Sequence, residues 1–218
     1  VLEKMNPFEK TLSNTYGKKT LKIIQSLSIG IGGAGGLGSN CAFNLVRSGF
    51  KNLVIIDYDK IEYSNLNRQF YFYHQTGRYK VEVLKKNLLK INPDLNLITC
   101  TQKITQNNIN NIFKDCQIIV EAFDSISSKK IIVKNFMNKN QLLVAASGIS
   151  GWGENDKIRT RKVNETFYMV GDFTTEAAED TPPLSPRVNI AAAKQADIIL
   201  NYVISNQNNY GGVYNNRY

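Results

Sequence analysis

Several things are scarce in this 218-residue sequence, and each scarcity removes a class of protein. Cysteine occurs three times, at Cys41, Cys100 and Cys116, scattered and odd in number. No C-x-x-C pair occurs, which argues against a disulfide framework and leaves no zinc site to expect. The one histidine, His74, reads as a loop or lid residue without a catalytic role. No run of about 18 apolar residues exists, so no membrane-spanning helix is expected. The chain opens on polar and charged residues rather than a signal peptide, and the cytoplasm is the expected compartment. Positive charge is not scarce: 27 Lys and Arg against 18 Asp and Glu give a net charge of +9. That balance favours anionic partners such as nucleotides or an acidic protein. The basic residues are spread out with no arginine-rich run, which disfavours nucleic acid.

What is present is organised around residues 27–40, LSIGIGGAGGLGSN. Leu27, Ile29 and Ile31 have the pattern of a buried strand. Gly33, Gly35 and Gly38 then fit G-x-G-x-x-G, with Gly36 as an additional glycine. Ala42, Leu45 and Val46 continue as the core face of a helix ending near Gly49. A second strand, 53–56, stops at Asp57, 19 residues past Gly38, close to the spacing of a ribose-binding acid in a dinucleotide fold. The glycines permit a tight turn and close approach of backbone to phosphate. The helix start offers free N–H groups and a positive dipole end to an anion.

The remainder follows the same alternation. Residues 6–26 predict two short helices broken at Gly17, with Phe8, Leu12, Leu21 and Ile24 packing on the domain edge. After Asp57 comes a polar and aromatic loop. A helix over 79–91 follows, with Val81, Leu84, Leu88 and Ile91 on one stripe, ended by Asn92-Pro93. Next come a strand at 95–100, a short helix at 108–113, a strand at 117–122, a helix at 127–138 and a strand at 142–146. Alternation implies an α/β fold: a doubly wound, mostly parallel Rossmann-like sheet with helices on both faces. Its ligands belong at the carboxyl ends of the strands, where Asp57 and Asp124 fall. Beyond Ser147 the pattern changes to an antiparallel hairpin, 157–163 and 166–170, forming a C-terminal extension. A loop at 172–187 leads to a broad apolar helix, 188–204, that should cap the sheet. Residues 1–205 are expected to form a single nucleotide-binding domain and 206–218 a flexible tail.

The glycine loop is not closed by Gly-Lys-Ser/Thr, so it lacks the lysine of a P-loop. Phosphate charge must be met from elsewhere, and Arg68 and Lys80 are the candidates, with solvated surface charge as the alternative for each. Lys80 opens a helix whose apolar stripe lies elsewhere, so it is expected to contribute little to stability. Asp124 has two readings: a Mg²⁺ ligand working with substrate phosphates, or the N-cap of the next helix. A phosphate cradle, a ribose acid, two cations and a metal acid together suit attack at a nucleotide phosphate better than hydride transfer.

GAGGLGSN, DYDKIEYSNLNRQ, Lys80 within RYKVE, and EAFD resemble the ThiF, MoeB and HesA adenylyltransferases, bacterial relatives of ubiquitin-activating enzymes. AASGISGWG, IRTRKV, YMVGD and SPRVNIAAAKQA resemble the shorter ThiF-type subgroup associated with thiamine thiazole synthesis. The resemblance runs to about Ile204. It implies ATP as substrate, with Gly33, Gly35, Gly36 and Gly38 lining its phosphates and Asp57 on the ribose hydroxyls. Asn67, Arg68 and Gln69 would contact ribose and phosphates, and Lys80 would neutralise the α-phosphate and pyrophosphate. Asp124 would bind Mg²⁺. Asp59, Ser64, Asn65 and Ser125, from the same motifs, would complete the nucleotide site. The implied partner is a ubiquitin-like sulfur carrier protein ending in Gly-Gly, whose carboxylate is adenylated, and a homodimer is expected.

Three departures stand beside the resemblance. Many relatives supply an N-terminal arginine across a dimer interface, whereas the first arginine here is Arg47; either Lys18 or Lys19 substitutes or the contact is absent. The paired C-x-x-C motifs of zinc-holding relatives do not occur, and the loop 172–187 has no cysteine for sulfur or thioester chemistry. Adenylation alone is therefore expected. An NAD-dependent oxidoreductase, a non-catalytic carrier-binding scaffold and a tRNA-modifying relative are the competing readings.

Overall fold

The computed structural model of the chain describes residues 5–207. Seven strands are β1 (Ser28–Gly32), β2 (Asn52–Ile56), β3 (Asn96–Cys100), β4 (Ile118–Glu121), β5 (Leu142–Ala146), β6 (Arg159–Asn164) and β7 (Phe167–Gly171). They form one sheet in the order β3-β2-β1-β4-β5-β7-β6. All neighbours pair in parallel except β6 with β7, which is antiparallel. The fold is thus the expected mostly parallel α/β sheet with an antiparallel C-terminal pair. Its attachment was not legible in the sequence: β7 lies parallel beside β5, so the hairpin prolongs the main sheet, with β6 as the edge.

The strands read as apolar runs because both faces of the sheet are covered. Ile29, Ile31, Leu53, Ile55, Val120 and Val144 enter one core. Their alternate neighbours Val54, Ile56, Ile119, Leu143 and Ala145 enter the other. On the first face lie α2 (Lys18–Ser26), α3 (Gly36–Arg47), α4 (Lys80–Leu89) and α7 (Ser185–Ser205). On the second lie α5 (Ile109–Ile112) and α6 (Ile126–Phe136). Each buried Leu or Ile on these faces contributes about 2 kcal/mol relative to exposure. α7 packs along α3 and over β5, as its broad apolar surface predicts. It starts three residues earlier than expected, because Pro186 sits in its first turn, where a missing N–H costs nothing.

The N-terminal pair of helices breaks at Gly17, as expected. α1 (Pro7–Tyr16) is held by polar contacts as well as by Leu12. Glu9 is buried and pairs with Lys51 at 3.3 Å, and the amide of buried Asn92 donates to the same carboxylate. Asn6 caps α1 and donates to Asn92. At the other end, Asn206 caps α7 and Gln207 accepts from Thr20. From residue 208 the expected tail lies outside the described residues.

The loop 172–184 between β7 and α7 is closed at its base by Asp172 and by Arg187 in the first turn of α7. Arg187 donates to the Asp172 carboxylate, with side chains only 5% and 4% exposed. Arg187 also donates to the Gly153 carbonyl. Burial raises the Asp172 pKa, but the Thr175 and Thr174 donors and the Arg187 guanidinium outweigh it and hold the carboxyl well below the usual carboxylate range. A depressed folded pKa contributes stability that is present above the unfolded value of about 3.9 and is lost as pH falls below it. Asp172→Asn should therefore cost about 3 kcal/mol near neutral pH, since it leaves Arg187 buried without its charge partner. Thermal unfolding of both proteins between neutral and acid pH checks this. The wild type's margin should shrink as pH drops below about 4, and a margin constant with pH would rule the pair out as the cause.

Candidate functional site

The sheet order reverses at β1: β2 and β3 lie on one side of it, β4 and β5 on the other. The loops leaving β1 and β4 diverge there, opening a crevice at the carboxyl ends of the strands. The glycine turn fills the β1 side. Gly33 has φ +104, and its N–H donates to the Ile56 carbonyl at 2.9 Å. A Cβ on Gly38 would stand 1.9 Å from the Gly33 carbonyl oxygen. The first residue needs glycine for its backbone angle, and the other needs it for contact between helix and turn. Gly35 is the N-cap of α3 and Gly36 its first residue, so the unpaired N–H groups of the first helical turn end in the crevice.

Around this turn the structure gathers Asp57, Lys80, Arg68 and Asp124. Asp57 is buried at the end of β2. One carboxylate oxygen accepts the Ala34 N–H at 2.7 Å, and the other accepts the Asp59 N–H at 2.8 Å. Burial pushes its pKa up, opposed by those two N–H groups and by the Lys80 charge. Asp57 thus braces the glycine turn before any ribose is present. For Lys80 the alternative of a solvated surface charge falls. The residue is 6% exposed, with Nζ 2.9 Å from Asp59 Oδ2, and its backbone N–H donates to the Asp59 carbonyl. It is a buried cation held beside the turn, not a solvated residue on a free helix face.

Arg68 lies beside Gly36, its Cγ 3.4 Å from where a Cβ on that glycine would stand. Its guanidinium donates to the Ser64 carbonyl and to Asn67. Burial lowers the Arg68 pKa, and the Asp124 charge opposes this. Asp124 is exposed after β4. Its capping alternative falls, because Ser125 is the N-cap of α6 and accepts the Ser128 N–H. Among the described residues no group of three His, Cys, Asp or Glu could hold a metal. Ser64 and Asn65 shape the single turn of 3-10 helix Tyr63–Asn65: Asn65 accepts the Glu62 N–H, and Ser64 donates to the Glu62 carboxylate. Asn67 is exposed, while Gln69 is buried with an unpartnered Oε1. His74 stands exposed, stacked on Phe72.

Several positioning residues escaped the sequence reading. Ser39 donates to the Gly35 carbonyl and accepts the Phe70 N–H. Asn40 donates to the carbonyls of Gly36 and Arg68, both at 2.8 Å. The SN pair after the last glycine therefore stitches the Arg68 loop to α3, and its place in the motif was the only available signal. Glu121 is 1% exposed and accepts from Lys129 Nζ at 2.9 Å and from the Phe123 N–H. Burial raises its pKa and Lys129 opposes the shift. Gln195 of α7 donates to the Glu121 carbonyl at 3.1 Å.

The fold and this crevice define a class, the doubly wound domains, whose ligand crevice lies at the switch point of a parallel sheet. The chain belongs to the ThiF family, whose match covers residues 9–215. It is 34% identical over 149 residues to SUMO-activating enzyme subunit 2 of Dictyostelium discoideum, covering 67% of this chain and 22% of that protein. It is 32% identical to a probable molybdopterin-synthase adenylyltransferase of Gracilaria tenuistipitata var. liui, covering 62% of this chain and 38% of the other. To the tRNA threonylcarbamoyladenosine dehydratase of Bacillus subtilis the figures are 25% identity, 72% and 59%. The chain spans less than two thirds of the length of each of these relatives. Among solved structures, the E. coli tRNA N6-threonylcarbamoyladenosine dehydratase in complex with AMP superposes with a TM-score of 0.82. That match has 18% identity over 92% of this chain and 95% of that one. E. coli MccB with AMPCPP and MccA gives 0.68 at 20% identity, covering 93% and 64%.

The two lysine pairs at the crevice should differ in stability. Lys129→Ala strands a wholly buried carboxylate and should cost about 3 kcal/mol. Lys80→Ala releases Asp59, whose side chain is 45% exposed, and should cost about 1 kcal/mol or less. Denaturant unfolding of both variants decides it; equal losses would show that Asp59 is not rescued by solvent.

Proposed function

We propose that this chain is an ATP-dependent adenylyltransferase. It activates the C-terminal glycine carboxylate of a small ubiquitin-like sulfur carrier protein ending in Gly-Gly, in thiamine thiazole synthesis, and releases pyrophosphate. The observation that carries the reading is the convergence of the glycine turn, Asp57, Lys80, Arg68 and Asp124 at one switch point. These groups suit charge neutralisation at a phosphate, and no general base stands among them. None is required: the attacking carboxylate is already ionised at neutral pH. Its oxygen forms a bond to the α-phosphorus, the bond from that phosphorus to the bridging oxygen breaks, and the electron pair leaves with pyrophosphate.

The protein's part is to position the reactants and to place fixed charge where negative charge develops. Lys80, already desolvated, would exchange Asp59 for the phosphates. Arg68 would turn from Ser64 to the transferred group. Asp57, already fixed by two N–H donors, has lone pairs left for ribose hydroxyls. Asp124, freed from capping by Ser125, fits a Mg²⁺ carried in with the phosphates, since this ion binds through one or two carboxylates plus phosphate oxygens. When bound, the ion supplies further neutralisation of phosphate charge.

A second reading is favoured by the near-complete superposition on the E. coli dehydratase: adenylation of a small carboxylate on tRNA. ATP–pyrophosphate exchange separates the two. Exchange stimulated by a Gly-Gly carrier supports the first, and exchange stimulated only by modified tRNA replaces it with the second. Within that assay Lys80→Ala should reduce the rate about 100-fold. Asp57→Ala should mainly raise KM for ATP, and Asp124→Asn should lower kcat with partial rescue by added Mg²⁺. Identical behaviour of the two aspartate variants would refute the division between ribose and metal.

The cysteines give a further expectation. Cys41 and Cys116 are buried, and burial pushes their thiols up to about 12 and about 11. The Cys100 thiol is also raised by burial. A nucleophilic thiol needs the opposite shift. Replacing all three with Ala or Ser should leave adenylation intact. After acyl-adenylate formation by the wild type, mass spectrometry under non-reducing conditions should find no carrier adduct on any of them. An adduct would establish covalent chemistry beyond adenylation.

A further inference from the structure

We propose that Tyr71 is a positioning residue that locks the glycine turn to the helix bearing Lys80, so that the phosphate cradle is formed before nucleotide arrives. The role of the cradle rests on the nucleotide reading above; the lock itself does not. Tyr71 is 5% exposed and lies two residues past Gln69, in the aromatic run that follows the Arg68 loop. Its hydroxyl donates to the Ala34 carbonyl at 2.7 Å, and the Lys80 carbonyl stands 3.3 Å from the same oxygen. One phenol therefore spans the glycine turn and the first turn of α4.

The consequence follows from peptide planarity. Asp57 already holds the Gly33–Ala34 peptide through the Ala34 N–H. Tyr71 holds the next peptide through the Ala34 carbonyl. In a trans peptide the N–H points opposite to the carbonyl. Drawing the Ala34 oxygen inward to a buried phenol thus turns the Gly35 N–H outward, to the side where phosphates would lie. Two consecutive peptides are fixed by two side chains from different elements, and glycine's backbone freedom is removed at the residue that most needs a fixed direction. Burial and the nearby Asp57 charge raise the Tyr71 pKa well above its ordinary value, so the phenol keeps the proton it donates. The same hydroxyl lies against the Lys80 carbonyl, and the Asp57 carboxylate accepts the N–H of Asp59, whose side chain pairs with Lys80 Nζ, so turn and cation are joined through two routes.

Tyr71→Phe keeps the ring and removes only the hydroxyl. Two measurements on the whole chain read the result. Hydrogen exchange without nucleotide should show the Ala34 amide protected in the wild type and exchanging about tenfold faster in the variant, with β1 amides unchanged. Calorimetric titration with ATP should give a Kd about tenfold weaker, while kcat for exchange changes little, because the cradle binds ground and transition states alike. Tyr73→Phe, in an exposed ring, should change neither. An unprotected Ala34 amide in the wild type, or an unchanged one in Tyr71→Phe, overturns the lock whatever the protein binds. Faster exchange with unaltered ATP affinity overturns the positioning role. If wild-type protein binds no ATP, the nucleotide reading falls and the cradle with it, while the exchange data still judge the lock.

Discussion

The contact on which the rest of this structure depends is the packing of Gly38 against the Gly33 carbonyl. With no side chain at either position, α3 starts directly on the end of β1 and its N–H groups end at the sheet edge. Any Cβ at Gly38 would drive the helix away from the strand, and α7, which packs along α3, would move with it. A close approach of backbone to backbone therefore fixes the crevice and one of its two covering layers together.

The buried charges divide into two kinds by what their partners do. Glu9 with Lys51 ties α1 to the residue before β2, and Asp172 with Arg187 closes the base of the β7–α7 loop. Glu121 with Lys129 holds the turn after β4 that carries Asp124, and thereby transmits the geometry of α6 to the crevice. Lys80 with Asp59 is the exception, because its acid is nearly half exposed and can yield to a stronger anion. Triphosphate carries more charge than one carboxylate, so the pair suits exchange where the other three suit permanence.

The positive net charge of +9 suits an anionic second substrate, and the absence of an arginine-rich run weighs against an RNA without naming the carrier. Membership of the ThiF family does not choose either, because the relatives include enzymes named for SUMO, for molybdopterin synthase and for a modified tRNA base.

The sequence by itself determined the alternation of strands and helices, the glycine turn and the positions of Asp57 and Asp124 at strand ends. These are local properties: strand and helix periodicity, and the backbone freedom of glycine, act within a few residues and can be read directly. Only the tertiary structure decided that β7 joins β5, that Lys80 is buried against Asp59, that Asp57 accepts from Ala34, and that Ser125 rather than Asp124 caps α6. The same holds for the partners of Tyr71, Glu121 and Asp172. Most of these pairings join residues from 8 to 37 positions apart. Nothing in the composition around either member names the other, because burial that makes such a bond worth forming exists only once the sheet has brought its loops to one edge.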